Sequence, residues 1–459
     1  MLIHLDGSAV TDAASTSATA ACSCACIENL LLAHFEGNHV VSLTPSDAAI
    51  LRAVSPPWSE RARRALDHVD ENFAQIAGLR ADIIWSLELG AGPSFDGKAY
   101  ATSDGRSILR APLHNFQKAH STSCSALLGE NATDADLFQQ LGLMRQAERR
   151  WDALEMIHHR HGAGGSTYAT TYRSFADQGR IVLAIADTDM RHPTDRGGGT
   201  YKNLRDEAND RPEYQRTRPT PTRTAEGLVS MGVYKDVFQS KHGDLRLGHV
   251  ARIEQFLRSA PSDILRYAHL KDGLRLYQVQ NPKTPAEGSY WSGIAKNVKR
   301  DQCVRPISEQ CAKKEECTCF VVDGLGANAL SDVVTWMKSK KSKRDLASRF
   351  ELHKKPELSD LADEVLAWGL ALSPVAHLSA AHGDVLDWAR CLLPRHCLPG
   401  PPRAGGALRD RVPERVLQRP ERREVRPAVP VKRHLLRHPR RNPRDQTPAP
   451  QERRRPRNT

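Results

Sequence analysis

The stretch Arg180-Ile-Val-Leu-Ala-Ile-Ala186 is apolar almost throughout and runs directly into Asp187-Thr188-Asp189. An unbroken apolar strand is covered on both faces, as a central strand of a parallel sheet is. Parallel strands need crossover segments between them, and the preceding sequence supplies these. Ser125-Ala-Leu-Leu128 is a short buried strand ending in Gly129-Glu130. Thr133-Asp-Ala-Asp136 opens a helix like a capping box, with Asp136 where the box prefers Glu or Gln. Leu137, Phe138, Leu141 and Met144 then recur at helical spacing. Glu155 to His159 forms a second strand, and Gly162-Ala-Gly-Gly165 permits a sharp turn. Ser166 caps a helix that ends near Gln178-Gly179.

Strand C-termini in a parallel sheet share one edge, and ligands bind there. Glu130 and the Asp187/Asp189 pair each fall just past a strand end. Residues i and i+2 of an extended segment point to the same side. Three carboxylates can therefore converge, an arrangement that is costly unless a cation neutralises it. Oxygen-only ligands suit Mg²⁺ or Mn²⁺. The plainer alternative is a surface Asp-x-Asp turn and a glutamate that caps a helix.

Gly129-Glu130, a glycine-rich turn after the second strand, and Asp187-x-Asp189 after the third resemble the TOPRIM domain over roughly residues 122–260. That family includes topoisomerases, primases, recombination proteins and OLD-type nucleases. The resemblance implies a Mg²⁺-dependent phosphodiester site, with Glu130 as acid/base or ligand and Asp187 and Asp189 as ligands, and a nuclease that acts in bacterial antiphage defence. Related defence proteins carry an Arg-Glu-Ile-Glu-Asn pattern further on. This chain keeps Arg252-Ile-Glu-Gln255 in similar form, within an expected fourth strand passing into a helix over 245–257, so Glu254 is a fourth candidate carboxylate. Its alternative role is a salt bridge on a helix surface. Arg191, Arg196 and Lys202, on the basic loop after Asp189, are candidate phosphate contacts. The second functional reading is non-catalytic: a TOPRIM-like scaffold that binds nucleic acid or a partner through that loop.

The expected architecture is α/β: a TOPRIM-like, mostly parallel sheet flanked by helices, with additional regions on either side. Residues 1–120 are an N-terminal α/β region, 122–260 the catalytic domain with a mobile insertion at about 191–224, 261–385 a mainly helical region and 386–459 a disordered tail. Within the first region, Ala62 to Leu79 is an amphipathic helix, followed by Asp82-Ile-Ile-Trp-Ser-Leu-Glu-Leu89. Cys22-Ser-Cys-Ala-Cys26 lacks zinc-knuckle spacing, and so does the group Cys303, Cys311, Cys317 and Cys319. Gly92-Pro-Ser-Phe-Asp-Gly-Lys98-Ala99 nearly matches a P-loop but lacks the Ser/Thr that holds Mg²⁺. Gly324-Leu-Gly-Ala-Asn-Ala329 has the glycine spacing of a dinucleotide fingerprint without the acidic second strand. Leu361, Val365, Leu366, Leu370 and Leu372 are core candidates in a late helical stretch.

No apolar run approaches the roughly 18 residues of a membrane span, and the N-terminus lacks the pattern of a signal peptide. Ten cysteines among 459 residues do not form a secreted disulfide framework. These features point to a cytoplasmic protein, and the TOPRIM resemblance implies a nucleic-acid partner, with a protein partner or homo-oligomer left open. The net charge of +12 is local: residues 391–459 hold 19 Lys and Arg against 6 Asp and Glu, so the rest of the chain is close to neutral. Arg and Pro occupy 31 of those 69 positions, with no Trp, Tyr or Phe. Such a segment buries too little apolar surface to offset its ordering entropy. It is either a nucleic-acid-binding tail or an out-of-frame translation that begins after about His382. In either case truncation after residue 385 should leave the thermal transition nearly unchanged, as measured by calorimetry. A cooperative loss of folding would show that the tail belongs to the core.

Overall fold

Five strands lead the chain: Leu2–Leu5 (β1), Val40–Ser42 (β2), Trp85–Gly90 (β3), Ala99–Ala101 (β4) and Ser107–Pro112 (β5). They form a sheet in the order β2-β1-β3-β5-β4, parallel except where β4 meets β5. The computed structural model describes residues 1–54, 58–241, 244–295 and 319–375. Thr44 caps the helix Pro45–Arg52 by accepting the Asp47 N–H, with proline in the first turn where its missing donor costs nothing. The single helix expected over 62–79 divides at Asn72 into Glu60–Glu71 and Phe73–Asp82. The Asn72 amide donates to the His68 carbonyl at 2.8 Å, a side-chain bond that competes with the helical ladder.

Three motifs lose their chemical readings here. Cys22, Cys24 and Cys26 lie inside the helix Ala20–Phe35, where Cys22 and Cys26 share a face at i, i+4 and Cys24 is turned away from both. The P-loop-like stretch leads into β4, so it provides no helix N-terminus for a phosphate. The glycine stretch at 324–329 follows a strand in an antiparallel pair, Leu274–Arg275 (here β11) with Phe320–Val322 (β12), and opens no βαβ unit. Cys303, Cys311 and Cys317, together with residues 376–459, lie outside the described residues, whereas Cys319 is buried beside β12.

The second sheet comprises Ala126–Gly129 (β6), His159–Gly162 (β8), Val182–Ala186 (β9) and Gln215–Pro219 (β10), and Glu155–Met156 (β7) stands outside it. Its order is β10-β9-β6-β8, and every pairing is parallel. The mixed α/β class with parallel sheets is therefore as expected. Alternate residues divide the two faces, as strand geometry requires. Leu127, Leu183 and Ile185 join the apolar core that also contains Leu87 and Leu109 of the first sheet. Leu128, Val182 and Ala184 pack under Tyr168, Tyr172 and Leu204 on the other face. The Tyr168 hydroxyl donates to the carbonyls of Leu128 and Ile185, and Tyr172 donates to that of Gln215. One helix, Tyr168–Asp177, thus ties three strands together.

Two strand expectations need correction. Residues 155–159 do not form one strand, because β7 pairs antiparallel with Leu370–Ala371 (β13) and Ile157 N–H donates to the Gly369 carbonyl. The true second strand begins at His159. Residues 245–257 hold no strand either, since Arg246–Ser259 is helical throughout. The fourth strand is β10, inside the stretch expected to be a mobile insertion. That stretch folds as the helix Gly199–Ala208 followed by an edge strand with five consecutive residues in register on β9. An edge strand has one neighbour, so it tolerates the charges and the terminal proline that disguised it.

The helix Pro356–Gly369 holds the two sheets together. Leu361, Val365 and Leu366 are buried as expected, as are Leu370 and Leu372 beyond it. Trp368 donates its indole N–H to the Val182 carbonyl and meets Trp85 edge-on at 5.5 Å. Glu364 is 0% exposed and pairs with Arg216 at 2.5 Å and with Arg218, both on β10. Asp363 accepts forked bonds from Arg145 and Arg149 on the helix Ala132–Glu148. Among the described residues no helix is long and apolar enough to cross a membrane. Glu364→Ala leaves two arginines without their buried counter-charge, and should destabilise the fold by about 3–5 kcal/mol. Urea unfolding measures this, and a loss under about 1 kcal/mol would show that solvent compensates both arginines.

Candidate functional site

The C-terminal edge of the second sheet is where its acidic residues gather. Glu130 follows β6 directly, and Asp187 follows β9. The turn that carries Asp187 and Asp189 is fixed from several sides. The Asp189 N–H donates to the Arg223 carbonyl at 3.0 Å, and the Thr188 carbonyl accepts the Gly198 N–H at 2.8 Å. Thr188 is buried, and its hydroxyl donates to the Thr222 carbonyl. Asp189 itself adopts a left-handed φ of 52°, which aspartate tolerates better than most residues. Its carboxylate lies against Gly198, where a Cβ would stand 2.6 Å from Oδ2. Gly198 precedes the helix Gly199–Ala208, so its lack of a side chain lets that helix start close to the carboxylate.

A second helix start reaches the same edge. Gly162 allows the Ala132 amide to approach to where a Cβ would meet it at 2.2 Å, and Gly129 does the same for Ala135. The capping box is Asn131 with Asp134, two residues earlier than expected: Asn131 accepts the Asp134 N–H and Asp134 accepts the Asn131 N–H, both at 3.1 Å. Asp134 is thereby buried just behind Glu130.

Five carboxylates feel one another's charge at this edge: Glu130, Asp134, Asp187, Asp189 and Glu226. Burial pushes the Asp187 carboxyl well above the usual range, and the charges of Asp134, Glu226, Glu130 and Asp189 push it further. Burial, opposed by its cap bonds to Asn131, leaves Asp134 raised to about 7. Glu130 is raised by burial first and then by Asp189, with Lys271 acting in the opposite direction. Among the described residues nothing donates a hydrogen bond to the Asp187 carboxylate. Three basic groups face these acids. Arg223 follows β10, its guanidinium held by the Tyr267 carbonyl at 3.0 Å and depressed by burial. Lys271 acts on Glu130. His269 is lowered by burial and then by Arg223, while Asp272, Glu226 and Asp189 oppose that shift.

Glu130, Asp187 and Asp189 thus come to one edge, as expected from their strand positions. Glu254 does not join them. It lies on the helix Arg246–Ser259, which turns Val250 and Ile253 inward, and it lines a separate groove with Met231, Lys235 and Arg258. The acid that follows the real fourth strand is Glu226, buried in the turn Ala225–Leu228. Arg191 is occupied: its carbonyl accepts the Trp291 indole N–H at 2.8 Å and its guanidinium stands 3.9 Å from Glu287. Arg196 is exposed, and Lys202 is half-buried in the first turn of its helix. Among the described residues, no three Asp, Glu, His or Cys side chains stand close enough to form a ready-made metal-holding group. The five acids share an edge and a field without closing on a common point. Comparison with known proteins returns no match: no family model, no curated protein and no solved structure is significantly similar to this chain.

A carboxyl whose pKa is higher in the folded state binds its proton more tightly there than in the unfolded chain. Its stabilising contribution is full below the ordinary carboxylate range, near pH 4, and disappears as pH rises through the folded value. For Asp134 that window closes at about 7. The metal-free protein should therefore lose several degrees of melting temperature, as an order of magnitude, between about pH 5 and pH 8. Asp134→Asn keeps an acceptor for the Asn131 N–H but cannot ionise, so the fall should be visibly shallower. Equal slopes for the two proteins in EDTA would remove Asp134 from the coupled group.

Proposed function

We propose that this protein is a metal-dependent phosphodiesterase of the TOPRIM type that cleaves nucleic acid. The observation that carries the proposal is the field of five carboxylates at the C-terminal edge of a wholly parallel sheet. Their order along the chain supports it: Glu130 after the first strand of that sheet, and the Asp187/Asp189 pair after its central strand. Such crowding of like charge costs stability, and structures that keep it use it.

The donor set fits a hard cation. Every candidate ligand is a carboxylate oxygen, the preference of Mg²⁺ and Mn²⁺. Among the described residues no hydrogen-bond donor reaches the Asp187 carboxylate, and its burial makes it the acid most in need of a counter-charge. Asp187, Asp189 and Glu226 would have to draw together to hold the ion, since among the described residues no three acids stand close enough to share one, and Asp134 would stand behind them. A divalent ion there supplies Lewis-acid stabilisation of a phosphodiester and a more acidic bound water.

The chain's own groups account for the remaining work. Glu130, with its pKa raised, retains a proton to higher pH than an ordinary glutamate, which suits it to pass a proton to or from a reacting oxygen. Arg223 and Lys271 place positive charge opposite the acids, where the phosphate of a substrate would sit. The starts of the helices Ala132–Glu148 and Gly199–Ala208 add backbone donors that favour anions.

A panel of labelled DNA and RNA incubated with Mg²⁺, Mn²⁺ or EDTA tests the proposal. Cleavage should require the metal. Asp187→Asn and Asp189→Asn should each lower it by about a hundredfold or more, while Asp187→Asn leaves the metal-free fold as stable or slightly more so because repulsion is relieved. Glu130→Gln should lose activity yet keep Mg²⁺ binding by calorimetry. Normal cleavage by both Asn variants would sink the proposal.

A further inference from the structure

A cleft of about 360 Å³ opens on the β10 side of the Asp187–Asp189 turn. Its near wall is Thr188 and Met190, the two residues that flank Asp189. Pro219, Thr220 and Pro221, where β10 ends, form its floor. Its far wall is Arg218, Arg266 and Tyr267 with two exposed acids, Glu357 and Asp360, on the helix Pro356–Gly369. The volume is at the small end of ligand pockets, which span about 300–1,000 Å³.

The lining has two chemical halves. Met190, Pro219 and Pro221 offer apolar faces on which a flat ring can lie. Arg218 and Arg266 offer charge and planar donors. Arg218 is fixed by Glu364, and Arg266 pairs with Glu357, so each guanidinium is held in place while only part of its donor set is engaged. Thr188 sits between Asp187 and Asp189 in the turn, so the cleft adjoins the segment that carries the proposed catalytic acids.

We infer that this cleft takes one unpaired nucleotide next to the phosphate to be cleaved, and hence that the substrate is single-stranded nucleic acid. The base lies against Met190 and the prolines, and the adjoining backbone phosphate meets Arg218 and Arg266. A base paired in a duplex cannot enter a pocket of this kind without being flipped out, at a cost in unstacking. Single strands offer their bases without that cost. This inference rests on the phosphodiesterase reading for the position of the cleft beside a reacting phosphate, but its binding test does not.

Asp360→Trp fills the cleft from an exposed helix position, and Arg266→Glu reverses charge at its rim. The probes are a fluorescent single-stranded oligonucleotide and its duplex, bound by the full chain in EDTA. A small non-nucleotide diester, bis(p-nitrophenyl) phosphate, reports turnover with Mg²⁺. The wild-type protein should bind the single strand at least tenfold more tightly than the duplex. Each variant should lose roughly tenfold or more in single-strand affinity with an unchanged melting temperature, and Asp360→Trp should leave turnover of the small diester unchanged. Duplex binding equal to single-strand binding, or single-strand binding unaltered in both variants, would overturn the inference. If no phosphodiester is cleaved under any condition but both variants still lose single-strand binding, the cleft assignment stands and the catalytic reading falls. Normal Mg²⁺-dependent cleavage together with unaltered binding in the variants gives the reverse.

Discussion

Parallel strands deliver their ends to one edge, and in this protein several of the connections that leave that edge begin with an acid. Glu130 enters one helix, Asp187 and Asp189 form the turn before another, and Glu226 sits in the turn after β10. The sheet cannot form without assembling these charges. Burial in a low-dielectric setting strengthens the repulsion among them. Much of the local architecture bears on that constraint: glycines that bring helix starts close, a left-handed aspartate, an arginine on the same connection as Glu226, and a lysine and a histidine from a loop further along the chain.

The legible part of the site was the part that sits at the ends of apolar strands. β6 and β9 are apolar runs, so Glu130 and the Asp187/Asp189 pair could be placed from residue order. Glu226 was missed although the same reasoning leads to it. The acid after the fourth strand was sought near 254 because Gln215-Arg-Thr-Arg-Pro219 does not look like a strand. It is one because its arginines reach a single buried glutamate 146 residues further along the chain, Arg218 among them. That pairing leaves no local trace. Asp134 was visible inside a helix-start pattern, but the proximity that makes it part of the acidic group arises from Gly129 and Gly162, which draw that helix onto the sheet. Lys271 and His269 lie in a segment with no periodicity, and only the packed structure shows what they face.

The first sheet carries local signals in its sequence. β1, β2 and β3 are short apolar runs, and Thr44-Pro45 is a helix start whose capping geometry is wholly local. The break at Asn72 was hidden because the apolar periodicity of the two helices continues across it. Periodicity reports which face is buried, whereas a single side-chain hydrogen bond decides where the backbone stops winding.

The helix Pro356–Gly369 touches both sheets, yet it is among the last of the described elements to be synthesised. Trp368 reaches Val182, and Glu364 reaches β10 across well over a hundred residues of chain. During translation the edge strand therefore waits, its arginines without a buried counter-ion, until nearly all of the described chain has left the ribosome. Contacts of such sequence separation close slowly because loop entropy must be overcome first. The acidic edge is thus completed late, so a nascent chain cut short before this helix would lack the support that holds the strand beside its aspartates.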